Sequence, residues 1–119
     1  MDEKTNRLIK SYLPMSEQSF LILLCLTKPN HGYGIMQTIS EHTKGRVILS
    51  PSTVYTVLYK MEQDDLIDNV SEIDRRKVYQ ITSIGQIVLE AETDRLNALS
   101  QYAKEILEKQ KAQPAAQTV

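Results

Sequence analysis

From Phe20 to Leu26 seven consecutive residues are apolar, in a chain that elsewhere mixes apolar and polar positions. The run falls well short of the roughly 20 residues a membrane span needs. It predicts instead a central, buried helix over 17–27, with Ser16 as its N-cap. Before it, Leu8, Ile9, Tyr12 and Leu13 form the apolar side of a short helix over 3–12 that Pro14 ends. Beyond the Lys28-Pro29-Asn30 turn, Ile35, Met36 and Ile39 mark a third helix over 32–43, stopped by Gly45. Arg46 to Leu49 reads as a short β-like piece. Ser50 as N-cap and Pro51 at the first helical position then open a fourth helix, which reaches about Asp65. Its residues Val54, Val57, Leu58 and Met61 share one face.

The pattern then changes. Leu66–Ile73 and Lys77–Thr82 read as two short strands joined by Asp74-Arg75-Arg76. Thr82 or Ser83 caps a last helix running to about Lys109, roughly 40 Å long at 1.5 Å per residue. The fold expected is mainly α with a small β-hairpin: a winged helix-turn-helix followed by a long C-terminal helix. The expected division is a winged helix-turn-helix unit with its N-terminal helix over 1–82, a dimerisation helix over 83–110, and a tail over 111–119 with too little to bury to fold.

The fourth helix carries the most chemistry. Opposite its apolar face lie Ser52, Tyr55, Thr56, Tyr59, Lys60 and Gln63. Glu and Lys usually dominate a solvated face, whereas hydroxyls, phenols and a lysine suit phosphates and base edges. Half-buried tyrosines on an ordinary polar face are the plainer alternative. Arg75, Arg76 and Lys77 at the hairpin tip are three adjacent cations that a polyanion would relieve, unless neighbouring acids pair with them in a solvated turn. Tyr33, between Gly32 and Gly34 at a helix start, either adds a phosphate contact or fills the core.

In the last helix Leu89, Leu96 and Ala103 recur every seven residues, interleaved with Leu99 and Ile106. So small a body is not expected to cover that seam, and a second copy of the chain is the simplest partner. The alternative is packing on the N-terminal helix of the same chain. An effector site is expected near Leu96, Leu99 and the helix over 17–27.

Charge sharpens the picture by its distribution. Residues 1–60 carry seven Lys/Arg against four Asp/Glu, and residues 61–119 carry seven against eleven. The basic cluster at 75–77 directly follows an acidic stretch that ends at Asp74. The single cysteine, Cys25, excludes an internal disulfide and suits the cytoplasm. The first residues have no apolar core of a secretory signal, so none is expected. His31 and His42 lack partners at metal-ligand spacing, so no metal or cofactor is expected. No Gly-rich phosphate loop or nucleophile motif supports an enzyme.

Three segments together resemble the PadR-like family of bacterial transcriptional regulators. His31-Gly32-Tyr33-Gly34-Ile35 is similar to the family's HGYxI segment. Leu49-Ser50-Pro51-Ser52-Thr53-Val54-Tyr55, continuing to Leu58 and Met61, is similar to its recognition helix, LSPxSLYxxLxxLE. Arg75-Arg76-Lys77-Val78-Tyr79-Gln80-Ile81-Thr82 with Gly85 is similar to its wing and exit, RRKYYxLTxxG. The likeness spans about 16–86, and the long last helix resembles the family's compact subgroup. The resemblance implies a cytoplasmic homodimer on a palindromic double-stranded DNA operator, usually a repressor, with a possible aromatic or drug-like effector. Where the family often has Gly, this chain has Asp65 after the recognition helix and Asp74 before the wing arginines. It also has no Trp, so a drug site built on tryptophans does not carry over. A winged-helix protein-interaction module that no longer binds DNA is the competing reading, drawn from the acidic second half.

Overall fold

The computed structural model describes residues 2–113. In chain order it holds α1 (Glu3–Tyr12), α2 (Glu17–Cys25), α3 (Gly32–His42), α4 (Pro51–Gln63), β1 (Ile67–Ile73), β2 (Arg76–Ile81) and α5 (Ser83–Ala112). Five helices and one antiparallel hairpin make this a mainly helical winged-helix fold.

Polar side chains start every helix by accepting a backbone N–H that would otherwise lack a partner. Asp2 accepts from Thr5 N at 2.7 Å, a bond that holds the Asp2 carboxyl below its ordinary pKa. Ser16, Ser50 and Thr82 do the same for α2, α4 and α5. His31 caps α3 through Nδ1, which accepts from Gly34 N at 3.1 Å.

The end of α4 is equally defined. Leu66 N–H reaches Met61 O at 2.9 Å and Asp65 N–H reaches Glu62 O at 3.1 Å, the paired bonds of a Schellman motif. That motif requires a left-handed residue, and Asp65 supplies it with φ 61°. Leu66 and Met61 are both buried in the same core cluster, as the apolar pair that accompanies such a motif requires.

The core forms around α2. Ile22, Leu23 and Leu26 are fully buried, together with Ile35, Val54, Leu58, Leu66, Ile67 and Val88. The expectation of a helix buried all round holds for only part of α2. Phe20 and Leu21 are half-buried and Leu24 is exposed, so a second apolar face points outward.

The piece at Arg46–Leu49 is not a strand. Among the described residues no strand pairs with it, and its N-terminal backbone bonds turn back on Thr43 instead. The wing's extra pairing comes from Asn30, which exchanges both backbone bonds with Tyr79 at 3.0 and 2.8 Å. Ile81 N–H adds a bond to Leu26 O at 2.7 Å, so the linker between α2 and α3 lines the outer edge of β2. The hairpin turn is the two residues Asp74 and Arg75, with φ 51° and 64°. Two consecutive positive φ values are what a two-residue type I′ turn demands. A bulge between Asn69 and Ser71 leaves Val70 out of the ladder.

The first turns of α5 belong to the body. Gly85 fits directly under Leu66 O, where a Cβ would collide with that carbonyl oxygen. Val88, Leu89 and Glu92 are buried. Beyond them the helix leaves the domain. The radius of gyration is 18.0 Å, against about 13–14 Å for a compact chain of this length, and the long axis is 63 Å. Of the expected tail, Lys111 and Ala112 continue α5 and Gln113 caps it, while 114–119 lie outside the described residues.

Candidate nucleic-acid interface

The two faces of α4 separate as its apolar spacing requires. Val54, Leu58 and Met61 are buried and Val57 is half-buried; Ser52, Tyr55, Thr56, Tyr59 and Lys60 are exposed. Tyr55 retains 52% of its surface and Tyr59 66%, so neither phenol is a core residue.

These side chains are not all free to reach outward in the same way. Tyr55 lies across the start of α3, where a Cβ on Gly32 would stand 2.7 Å from the Tyr55 Oη. Lys60 bends toward the end of its own helix. Its Nζ is 3.0 Å from Asp64 Oδ2 and 5.2 Å from the centre of the Tyr12 ring. Tyr12 Oη donates to the same Asp64 oxygen at 2.6 Å. The Tyr12 hydroxyl first, then Lys60, lowers the Asp64 carboxyl pKa against partial desolvation. Burial, then Asp64, pushes the Tyr12 phenol up. Thr56 and Lys60 thus border a cleft with Ser11, Tyr12, Ser16 and Ser19, while Tyr55 borders α3.

Arg75, Arg76 and Lys77 are exposed on the wing, and among the described residues no ion pair joins them to an acid. Arg76 lies over the Tyr33 ring, 5.5 Å from its centre. Tyr33 is 51% exposed and accepts from Gln37 Nε2 at 3.2 Å, which removes it from the core. The exposed face of α4, the start of α3 and the wing therefore form one continuous surface: Tyr55 on Gly32, then Tyr33 under Arg76.

The last helix needs one correction. Leu89 is only 4% exposed and sits in its own chain's core, where it meets the helical body rather than solvent. It is therefore unavailable to a partner. Leu96, Leu99, Ala103 and Ile106 remain exposed, Leu99 at 55%, and Tyr102 and Leu107 widen the apolar surface. As for the alternative of covering by α1, that helix does pack on α5, but it leaves Leu96, Leu99, Ala103 and Ile106 exposed.

Sequence reasoning missed Glu92. This carboxylate is 1% exposed and stands where the heptad calls for an apolar residue. Arg95 grips it through Nε at 2.6 Å and Nη2 at 2.9 Å, and Met15 N–H donates to it at 2.9 Å. The Arg95 guanidinium is the main reason its carboxyl stays below the ordinary range despite burial. The acid inside an apolar seam, with Arg three residues on, was the available signal. Glu92 and Leu96 line an outward groove with Met15, Glu17, Phe20 and Leu21. Among the described residues no helix is long and apolar enough to cross a membrane, and no cluster of metal-ligating side chains occurs.

Similar proteins place this geometry. The model of the transcriptional regulator PadR-like family matches residues 21–91. An uncharacterised protein of Lysinibacillus sphaericus is 35% identical over 75 residues, covering 60% of this chain and 69% of that protein. A Streptococcus mutans protein of known structure is 29% identical, with a TM-score of 0.63 over 76% of this chain and 85% of that one. A PadR-like transcription factor from Bacteroides fragilis is 25% identical, with a TM-score of 0.64 over 88% and 99%. A Clostridium thermocellum transcriptional regulator shares the fold at 20% identity, with a TM-score of 0.66 over 83% and 96%. With its family match covering more than half the sequence and its winged helix intact, the chain belongs to the PadR-like family of transcriptional regulators.

Proposed function

We propose that this protein is a homodimeric, sequence-specific DNA-binding repressor, not an enzyme, working in the cytoplasm on a palindromic operator. The observation that carries this reading is the unbroken surface from Tyr59 and Tyr55 on α4, across Tyr33, to the unpaired wing cations. Ser52, Tyr55, Thr56 and Tyr59 enter the major groove, with Lys60 joining them once released from Asp64. Arg75 and Lys77 meet flanking phosphates, and Tyr33 and Arg76 support the wing beside them. Such an arrangement separates base reading from backbone holding.

Pairing of α5 with a second copy joins two recognition helices. The exposed seam of Leu96, Leu99, Ala103 and Ile106 supports it, because full burial of each large aliphatic side chain contributes about 1.5–3 kcal/mol. The groove beside Phe20, Glu92 and Leu96, next to that seam and near Leu99, is the place for an aromatic or drug-like effector. Fluorescence anisotropy with the protein's own promoter DNA at two salt concentrations tests the reading. Binding that is salt-steep and lost on scrambled DNA supports it. Equal binding to both DNAs, or none, overturns it and favours a protein-interaction module.

A further inference from the structure

The Tyr33–Arg76 contact is delivered by the backbone. Asn30 and Tyr79 face each other as an antiparallel bridge. Tyr33 lies three residues after Asn30 and Arg76 three residues before Tyr79, so continuing the same register brings these two side chains opposite each other. The chain turns into α3 at Gly32, yet the ring and guanidinium still meet at 5.5 Å. One residue away, the Gly32 backbone supports the Tyr55 ring of the recognition helix. The start of α3 therefore touches the DNA-reading helix on one side and the wing on the other.

We infer that Arg76 is a positioning residue that, clasped on Tyr33, sets the wing's attitude to the recognition helix, and is not itself a phosphate ligand. The base of the hairpin is held by the Asn30–Tyr79 bridge, the Ile81–Leu26 bond and buried Ile67, Val78 and Tyr79, but residues 68–77 are all exposed, so the Tyr33–Arg76 contact is what ties this outer part to α3. A guanidinium over a phenol ring gains from the ring's negative face, and at an exposed site this is worth roughly a two- to fivefold change in an equilibrium. Among the described residues Arg75, at the turn itself, and Lys77 have no such ring partner, and they are the wing cations left for phosphate. This inference rests on the DNA-binding reading above, but the clasp itself exists in the free protein.

A double-mutant cycle tests it. Tyr33→Ala and Arg76→Ala should each weaken DNA binding two- to fivefold, and the double variant should be no weaker than either alone. Tyr33→Ala combined with Arg75→Ala should instead multiply, because those two act separately. Independent multiplication of the Tyr33 and Arg76 effects would overturn the clasp. A second arm needs no DNA: the Arg76 side-chain protons should show an upfield ring-current shift in NMR spectra of the free protein, removed by Tyr33→Leu. Unshifted Arg76 protons would overturn the clasp even if DNA binds. Failure of the wild type to bind any DNA would sink the functional reading, while the NMR arm would still decide the contact.

Discussion

Tyr12 Oη donates a 2.6 Å hydrogen bond to Asp64 Oδ2, and this bond joins the end of α1 to the end of α4, the proposed recognition helix, across 52 residues of sequence. Lys60 completes the group, 3.0 Å from the same carboxylate and stacked on the Tyr12 ring. The C-terminal end of α4 is thus held by a helix that itself packs on α5.

Tyr12→Phe removes only the hydroxyl. It should destabilise the protein by about 1–2 kcal/mol at neutral pH, discounted from the roughly 1.5–3 kcal/mol of a hydrogen bond to a charged group because Asp64 is partly exposed. The Asp64 carboxyl lies below its ordinary value of 3.8, so its contribution is fully present above that value. The contribution fades as pH falls through the lower folded-state pKa. Urea unfolding at neutral pH and in strong acid checks both signs. The gap between wild type and variant should narrow in acid, and a gap unchanged with pH would remove Asp64 from the account.

Gly32→Ala probes the support under Tyr55. The new Cβ would stand 2.7 to 2.9 Å from the outer atoms of that ring, which is half-exposed and able to swing. The Gly32 backbone is ordinary first-turn helix, so Ala should fit it without strain. Melting temperature should stay within a few degrees while operator affinity falls roughly tenfold, about the worth of one good base contact. An early-melting variant with normal affinity would make the site structural only.

Much of this architecture is legible along the chain because its signals are local. Ser16 and Ser50-Pro51 announce helix starts, and the spacing of Val54, Leu58 and Met61 separates the two faces of α4. The family's preference for Gly at two positions also gains a physical reason, since Asp65 and Asp74 both have positive φ. What the pattern could not carry was long-range pairing. Tyr12 with Asp64, Met15 with Glu92 and Asn30 with Tyr79 meet only after the helices pack. Leu89 and Leu96 look alike in a heptad, but only one lies under the body. Arg46–Leu49 has strand-like composition without a partner edge.

Asp74→Gly should relieve a left-handed residue and remove an acid from the wing base. Asp tolerates that conformation better than most side chains, so the gain in stability should be small, up to about 1 kcal/mol. DNA affinity should rise, because one negative charge leaves the neighbourhood of Arg75 and Lys77. Thermal melting and a low-salt binding titration check the pair of effects. A fall in affinity would show that Asp74 holds the wing in its working shape.

Leu99→Asp should separate the proposed dimer. An unpaired carboxylate buried in a paired seam is strongly unfavourable, whereas the same side chain on a lone, exposed helix costs little. Size-exclusion chromatography with light scattering should show monomers that keep most of their helix content by circular dichroism. A variant that remains dimeric would move the interface away from the second half of α5.

The most direct measurement is a nuclease footprint of the protein on its own promoter. Two recognition helices joined through α5 should protect two inverted half-sites whose centres lie about one helical turn apart, roughly 34–36 Å. Protection of such a symmetric pair at a single protein concentration, lost together in Leu99→Asp, is the predicted result. A single protected half-site, or no protection at concentrations where the protein is dimeric, would contradict the account.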